Sequence, residues 1–211
     1  MANDTATVWG GTPKLGRNPT DGELLIGNNS ANGFSLNNLT AGSHISISNA
    51  PGEITINALP YYGAFESHTQ QTISGGAGSE MLVYYEVTNL SSGVSIGSNP
   101  SGQANTRIKV NNAGVYNLQF SIQVQPASAN KSAFFWLKYN GNVVPYSNTE
   151  VDLTNNGRSY VAAWNFFYSM NANDYLELAW TSDDAGTFLK DGAAAYGPNI
   201  PSVIATMSLV G

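Results

Sequence analysis

Three observations in the sequence predict an all-β fold, an antiparallel sandwich or jelly roll. Residues 115–125 alternate strictly, with Tyr116, Leu118, Phe120, Ile122 and Val124 separated by Asn117, Gln119, Ser121 and Gln123. That period of two makes one dry face and one amide-rich face. Short apolar runs recur between turn signals, among them Asn140-Gly141 directly after FFWLKY at 134–139, the residue pair that closes tight hairpins. Helical periodicity is nowhere sustained, so roughly eight to ten strands are left to form the core.

Taken from the N-terminus, residues 1–22 are punctuated by Gly10-Gly11, Pro13, Gly16, Pro19 and Gly22 and hold Trp9 as an early large apolar residue. They read as an extended arm. From 23 to 60, short alternating pieces follow: Leu24/Ile26, Phe34/Leu36, Ile45/Ile47 and Ile54/Ile56. The last two flank Asn49-Ala50-Pro51-Gly52 and predict a β-hairpin. Burying four isoleucines does not offset the backbone entropy of ordering residues 39–57, so this hairpin needs a surface beyond itself. Its four isoleucines are therefore expected to meet equivalent residues of other chains.

Past Leu59-Pro60 the character changes, and 61–211 reads as the main domain. Strands are expected at 61–67, 81–87, 105–110 and 115–125, then at 134–139, 161–168, 174–181 and 202–210. The runs FFWLKY and VAAWNFFY are apolar on both faces, as expected of strands inside a sandwich. In 174–181, Leu176, Leu178 and Trp180 share a face; in 202–210, Val203, Ala205, Met207 and Leu209 do.

Composition excludes several partners. The net charge is −6, with eight Lys plus Arg and no basic cluster, which argues against nucleic acid or an anionic membrane. Cysteine is absent, so no disulfide framework or Cys-ligated zinc is expected. The start MANDTATVWGG has neither a basic n-region nor an apolar h-region, and no secretory signal or membrane span is expected. Sequons at Asn28, Asn38, Asn89 and Asn130 are coincidences of an Asn/Ser/Thr-rich chain.

The run Gly114-Val-Tyr116-Asn-Leu118-Gln-Phe120 resembles the Gly-x-Tyr-x-Phe-x-Phe strand of the C1q/TNF-like jelly-roll superfamily, with Leu118 in place of the middle Phe. AFESHTQQ, GVSIG, GVYNLQFSIQVQ, FFWLKYNGNVVPYSNTEV, AAWNFFYSMNANDYLELAWTSDD and IPSVIATMSLV resemble the C-terminal domains of phage tail-fibre and related appendage proteins, notably marine and cyanobacterial ones. Upstream, residues 21–56 are similar to the fibre segments that precede such heads. The resemblance implies a virion protein assembled in the host cytoplasm: arm 1–22 anchoring to another virion protein, stalk 23–60, and jelly-roll head 61–211. It also implies a homotrimer, with Tyr116, Leu118 and Phe120 in the core or at the threefold axis and Ile45, Ile47, Ile54 and Ile56 between chains.

Chemistry is weakly signalled. Gly93-Val-Ser95-Ile-Gly97 matches the Gly-x-Ser-x-Gly nucleophile elbow, but His44 and His68 both precede Ser95 and no helix follows, so the triad order fails. His68 with Glu66 makes no metal site. Asp183-Asp184 is the one candidate for hard oxygen ligands to calcium, although adjacent acids in a turn are commonly solvated. Glu150 and Asp152 share a strand face without the setting of a glycosidase pair. No catalytic residue and no cofactor are expected.

Surface recognition remains. The loops 126–131, 170–173 and 191–199 are expected at one end of the head, away from the stalk. There Ser128, Asn130, Lys131, Asn171, Asn173, Tyr196 and Asn199 would offer amides, hydroxyls and one aromatic ring to a host-surface receptor, a glycan ahead of a protein. The alternatives are a capsid or tail decoration protein without a host receptor and, last, a polysaccharide depolymerase.

Overall fold

The computed structural model describes residues 19–31, 33–98 and 105–211. Trp9 and most of the expected arm lie outside the described residues. The chain divides into two compact units, Met1–Leu59 and Pro60–Gly211.

The first unit carries two hairpins. Strands β1 (Glu23–Asn28) and β2 (Gly33–Asn38) pair antiparallel, as do β3 (Ile45–Ala50) and β4 (Glu53–Ala58). Pro51 and Gly52 make the β3–β4 turn, with Gly52 at φ +74°, a conformation that glycine adopts without strain. The register Ile47↔Ile56, Asn49↔Ile54 and Ile45↔Ala58 puts all four isoleucines on one face, because directly opposed residues point the same way. Ile56 is 56% exposed there.

The second unit holds β5 (Tyr62–Ser67), β6 (Gln71–Thr72), β7 (Met81–Leu82), β8 (Val87–Ser92), β9 (Val94–Gly97), β10 (Arg107–Val110) and β11 (Gly114–Gln125). Then come β12 (Lys131–Tyr139), β13 (Asn142–Val143), β14 (Thr149–Leu153), β15 (Tyr160–Met170), β16 (Tyr175–Ser182), β17 (Phe188–Leu189) and β18 (Val203–Leu209). The principal pairs nest: β5 with β18, β10 with β16, β11 with β15, and β12 with β14. A ladder of nested antiparallel pairs, rolled so that alternate pairs meet edge to edge, is a jelly roll. One sheet accordingly runs β15-β11-β18-β5-β8 and the other β14-β12-β16-β10-β9; of the short strands, β17 pairs with β11 and β6 with β17, while β7 pairs with β16 and β13 with β12.

The core lies between these sheets. Tyr116, Leu118, Ile122 and Val124 of β11 are fully buried together with Phe135, Leu137, Leu176, Leu178, Trp180, Val203 and Met207. Phe135 stacks on Trp180 at 6.4 Å between ring centroids, and Phe120 stacks on Phe166 at 6.3 Å. Gly93 stands where β8 of one sheet passes to β9 of the other, at φ +66°; a Cβ there would lie 2.4 Å from the Tyr61 ring. A side chain at 93 would force this corner open.

Two expectations are corrected. Tyr116, Leu118 and Phe120 are 0, 0 and 6% exposed within a single chain, so they are intrachain core and do not reach an axis outside the sheet. β11 turns its amide face outward instead. The 161–168 run is also not interior: β15 pairs with β11 alone and is an edge strand. Its second apolar face is solvent-facing, with Val161 57% and Phe167 61% exposed.

Candidate functional site

The pairing registers fix what each end of the head displays. Val124 lies opposite Tyr160 and Leu189, Ile122 opposite Val203, and Lys131 opposite Leu153. Residues 126–130, 154–159, 183–187 and 190–200 therefore gather at one end. Gly114 opposite Met170 and Tyr62 opposite Ser208 define the other, where Pro60 enters. The loop end is thus the distal one.

Asp184 organises the distal end. Its carboxylate accepts from the Gly186 amide at 3.0 Å and the Ser128 amide at 3.0 Å, tying the β16–β17 turn to the β11–β12 loop. Gly186 allows that approach, since a Cβ on it would lie 2.7 Å from that of Ala127. The Gly186 amide above all, then Ser128 and the nearby Lys131 charge, outweigh partial desolvation and hold the Asp184 carboxyl below its usual range. Asp183 accepts from the Ser132 amide at 2.9 Å. These carboxylate oxygens point at backbone amides, and no group of three His, Cys, Asp or Glu side chains among the described residues is arranged to hold a metal.

The 191–199 loop is closed at its neck by reciprocal bonds between Gly192 and Ile200, at 3.0 and 2.8 Å. The Lys190 backbone amide donates to the Gln123 carbonyl at 2.7 Å just before it. The loop lifts Tyr196 to 95% exposure, and Asn199 is exposed beside the neck. Ser128 and Asn130 are exposed in the β11–β12 loop, with Lys131 partly buried at its end. Five of the seven residues expected at a distal surface therefore share that end.

Asn171 and Asn173 do not. They lie in the β15–β16 turn at the end where Pro60 enters, the Asn171 amide donating to Asp174 at 2.6 Å and the Asn173 amide to the Val110 carbonyl at 2.8 Å. Antiparallel β15 carries the chain back from the distal end before that turn is made. In their place the β14–β15 loop brings Asn155, Asn156 and Arg158 to the distal end, all exposed. The Asn155-Asn156-Gly157 turn signal marks that loop in the sequence.

The remaining chemical candidates are dispersed. Ser95 sits within β9 opposite Lys109, not on a strand-to-helix elbow. His68 Nε2 lies 2.8 Å from Glu66 Oε2, while Glu66 Oε1 accepts from Asn89 at 2.6 Å. Glu150 and Asp152 lie exposed on β14. What the distal end offers is exposed amide and hydroxyl groups and, on the 191–199 loop, one exposed aromatic ring.

No protein-family model matches the sequence, and no curated protein does. Among solved structures it is similar in outline to the crystal structure of murine APRIL determined at pH 8.0, with a TM-score of 0.47 and 8% identity over 72% of this chain and 99% of that one. The class assignment rests on the nested strand pairs: residues 60–211 form an antiparallel jelly-roll sandwich, the fold that the C1q/TNF-like resemblance implies.

Proposed function

We propose that this chain is a virion appendage protein, a trimeric phage fibre whose jelly-roll head attaches to a glycan on the host surface. One observation carries the reading: polar loops and the exposed Tyr196 gather at the end of the head opposite Pro60. Hydroxyls, amides and one aromatic face bind sugars weakly, and three copies on one fibre convert weak binding into avidity. Two further features support self-association. The β3–β4 isoleucine face is left partly uncovered, and Val161, Phe167 and Ile204 are exposed on the outward face of the β15-β11-β18 sheet. An isolated two-stranded hairpin is at best marginal in water.

The test replaces residues 193–199 by a short Gly-Ser link across the Gly192–Ile200 neck and measures adsorption of particles to host cells. The expected result is a loss of adsorption with the fold intact by circular dichroism. Undiminished adsorption supports the decoration reading, in which the loops face neighbouring virion subunits.

A further inference from the structure

We propose that Asn156-Gly157 is a site of spontaneous deamidation that adds a carboxylate to the distal end of the head, whereas Asn140-Gly141 is held unreactive by its hydrogen bonds. In an Asn-Gly pair the following residue has no Cβ, so its backbone nitrogen can approach the asparagine Cγ. Hydroxide takes the Gly157 amide proton, and the nitrogen attacks Asn156 Cγ. The N–Cγ bond forms, the Cγ–Nδ2 bond breaks, and ammonia leaves. Water then opens either C–N bond of the cyclic imide, giving aspartate or isoaspartate. The balance is one water in and one ammonia out, with no change of oxidation state.

A third Asn-Gly pair begins at Asn32, outside the described residues; these two pairs differ in what holds them. Asn156 is exposed, and its side chain makes no hydrogen bond to a described residue. A Cβ placed on Gly157 would meet nothing within 4 Å, so nothing crowds the glycine of this pair. The restraint on this pair is one neutral bond, from the Gly157 amide to the Pro126 carbonyl at 3.2 Å.

Asn140-Gly141 is the hairpin turn between β12 and β13, with φ +48° and +83°, the left-handed pair of a type I′ turn. Its side chain is fastened at both ends: Nδ2 donates to Asp174 Oδ1 at 2.8 Å, and Oδ1 accepts from the Tyr175 amide at 3.0 Å. Asp174 is itself fixed by the Tyr139 hydroxyl and the Asn171 amide. Both side-chain bonds must break before Cγ can swing onto the Gly141 nitrogen, and one of them is made to a carboxylate.

The experiment incubates the full chain in mildly alkaline buffer and follows both pairs by peptide mapping, reading the mass gain of an amide-to-acid change. Asn156 is expected to convert at least about tenfold faster than Asn140, a ratio equivalent to ~1.4 kcal/mol. Chain unfolded in guanidinium should convert both at similar rates, and Asp174→Ala should raise the Asn140 rate in the folded protein. A folded-state ratio below about tenfold overturns the proposal, as does a ratio that survives unfolding. The unfolded-chain measurement decides even if Asp174→Ala does not fold. The proposal does not depend on what the distal end binds.

Discussion

Asp184 shows how one side chain sets the stability of a surface. Its carboxylate answers two backbone amides that would otherwise need water, and amide bonds to a charged acceptor are worth about 1.5–3 kcal/mol each before solvent exposure weakens them. Asp184→Ala is expected to destabilise the head by about 1–3 kcal/mol in urea unfolding at neutral pH. The pH dependence has a definite sign. The folded pKa lies below the ordinary carboxylate value, so the contribution is present above the unfolded pKa of about 3.9 and fades as pH falls through the folded one. The gap between wild type and variant should therefore narrow in acid; a gap that widens there refutes the account.

Asp183-Asp184 is visible in the sequence as an acidic pair in a turn. Its partners are not, because they are backbone amides from a loop that is far away in sequence. Asn171 and Asn173 fail for a related reason: a residue's type says what it can bond, whereas its end of the sandwich depends on every strand before it.

For the elements, the period of two in β11 was legible and correctly separates its two faces, with Tyr116, Leu118, Ile122 and Val124 buried and Gln119 exposed. Periodicity shows that residues share a face without showing whose surface covers it. Here the opposing sheet of the same chain does. Two substitutions one residue apart separate the faces. Leu118→Ala is expected to cost about 2–5 kcal/mol at any protein concentration. Gln119→Glu should leave the stability of the single chain within about 0.5 kcal/mol while weakening the proposed self-association, read by sedimentation across a dilution series. Equal effects of the two on stability would contradict the assignment of faces.

β15 is instructive in another way. Apolar residues on both faces are the mark of a strand covered on both sides, yet here the second face is open and the strand is an edge. A long edge strand without a charged residue is a template for contact with another chain, and the proposed self-association would cover it. A strand order that omits β14 also sends the 170–173 turn to the wrong end, since β14 reverses the chain once more between β12 and β15.

At the scale of the whole molecule, the fold class follows from local pattern, but the assembly does not. Residues 1–57 produced without the head are expected to lack stable structure as a monomer, with little hydrogen-exchange protection, because two-stranded hairpins bury too little to offset their ordering entropy. A cooperative unfolding transition in that monomeric fragment would overturn the reading of a stalk completed by other chains. The loop end of the jelly roll was legible only as far as the turn residues at its loop tips. The closed neck that lifts Tyr196 comes from bonds between Gly192 and Ile200, and neither residue signals them.

β5 has a consequence for how the jelly roll would carry load in the proposed fibre. It is the first strand after Pro60, and it lies between β18, with six paired positions, and β8, with five. Inter-strand hydrogen bonds run perpendicular to the strands. A pull between Pro60 and the distal loops acts along β5, so both ladders bear the load together in shear and are not peeled bond by bond. The jelly roll therefore meets a pull between Pro60 and the distal loops with two ladders at once.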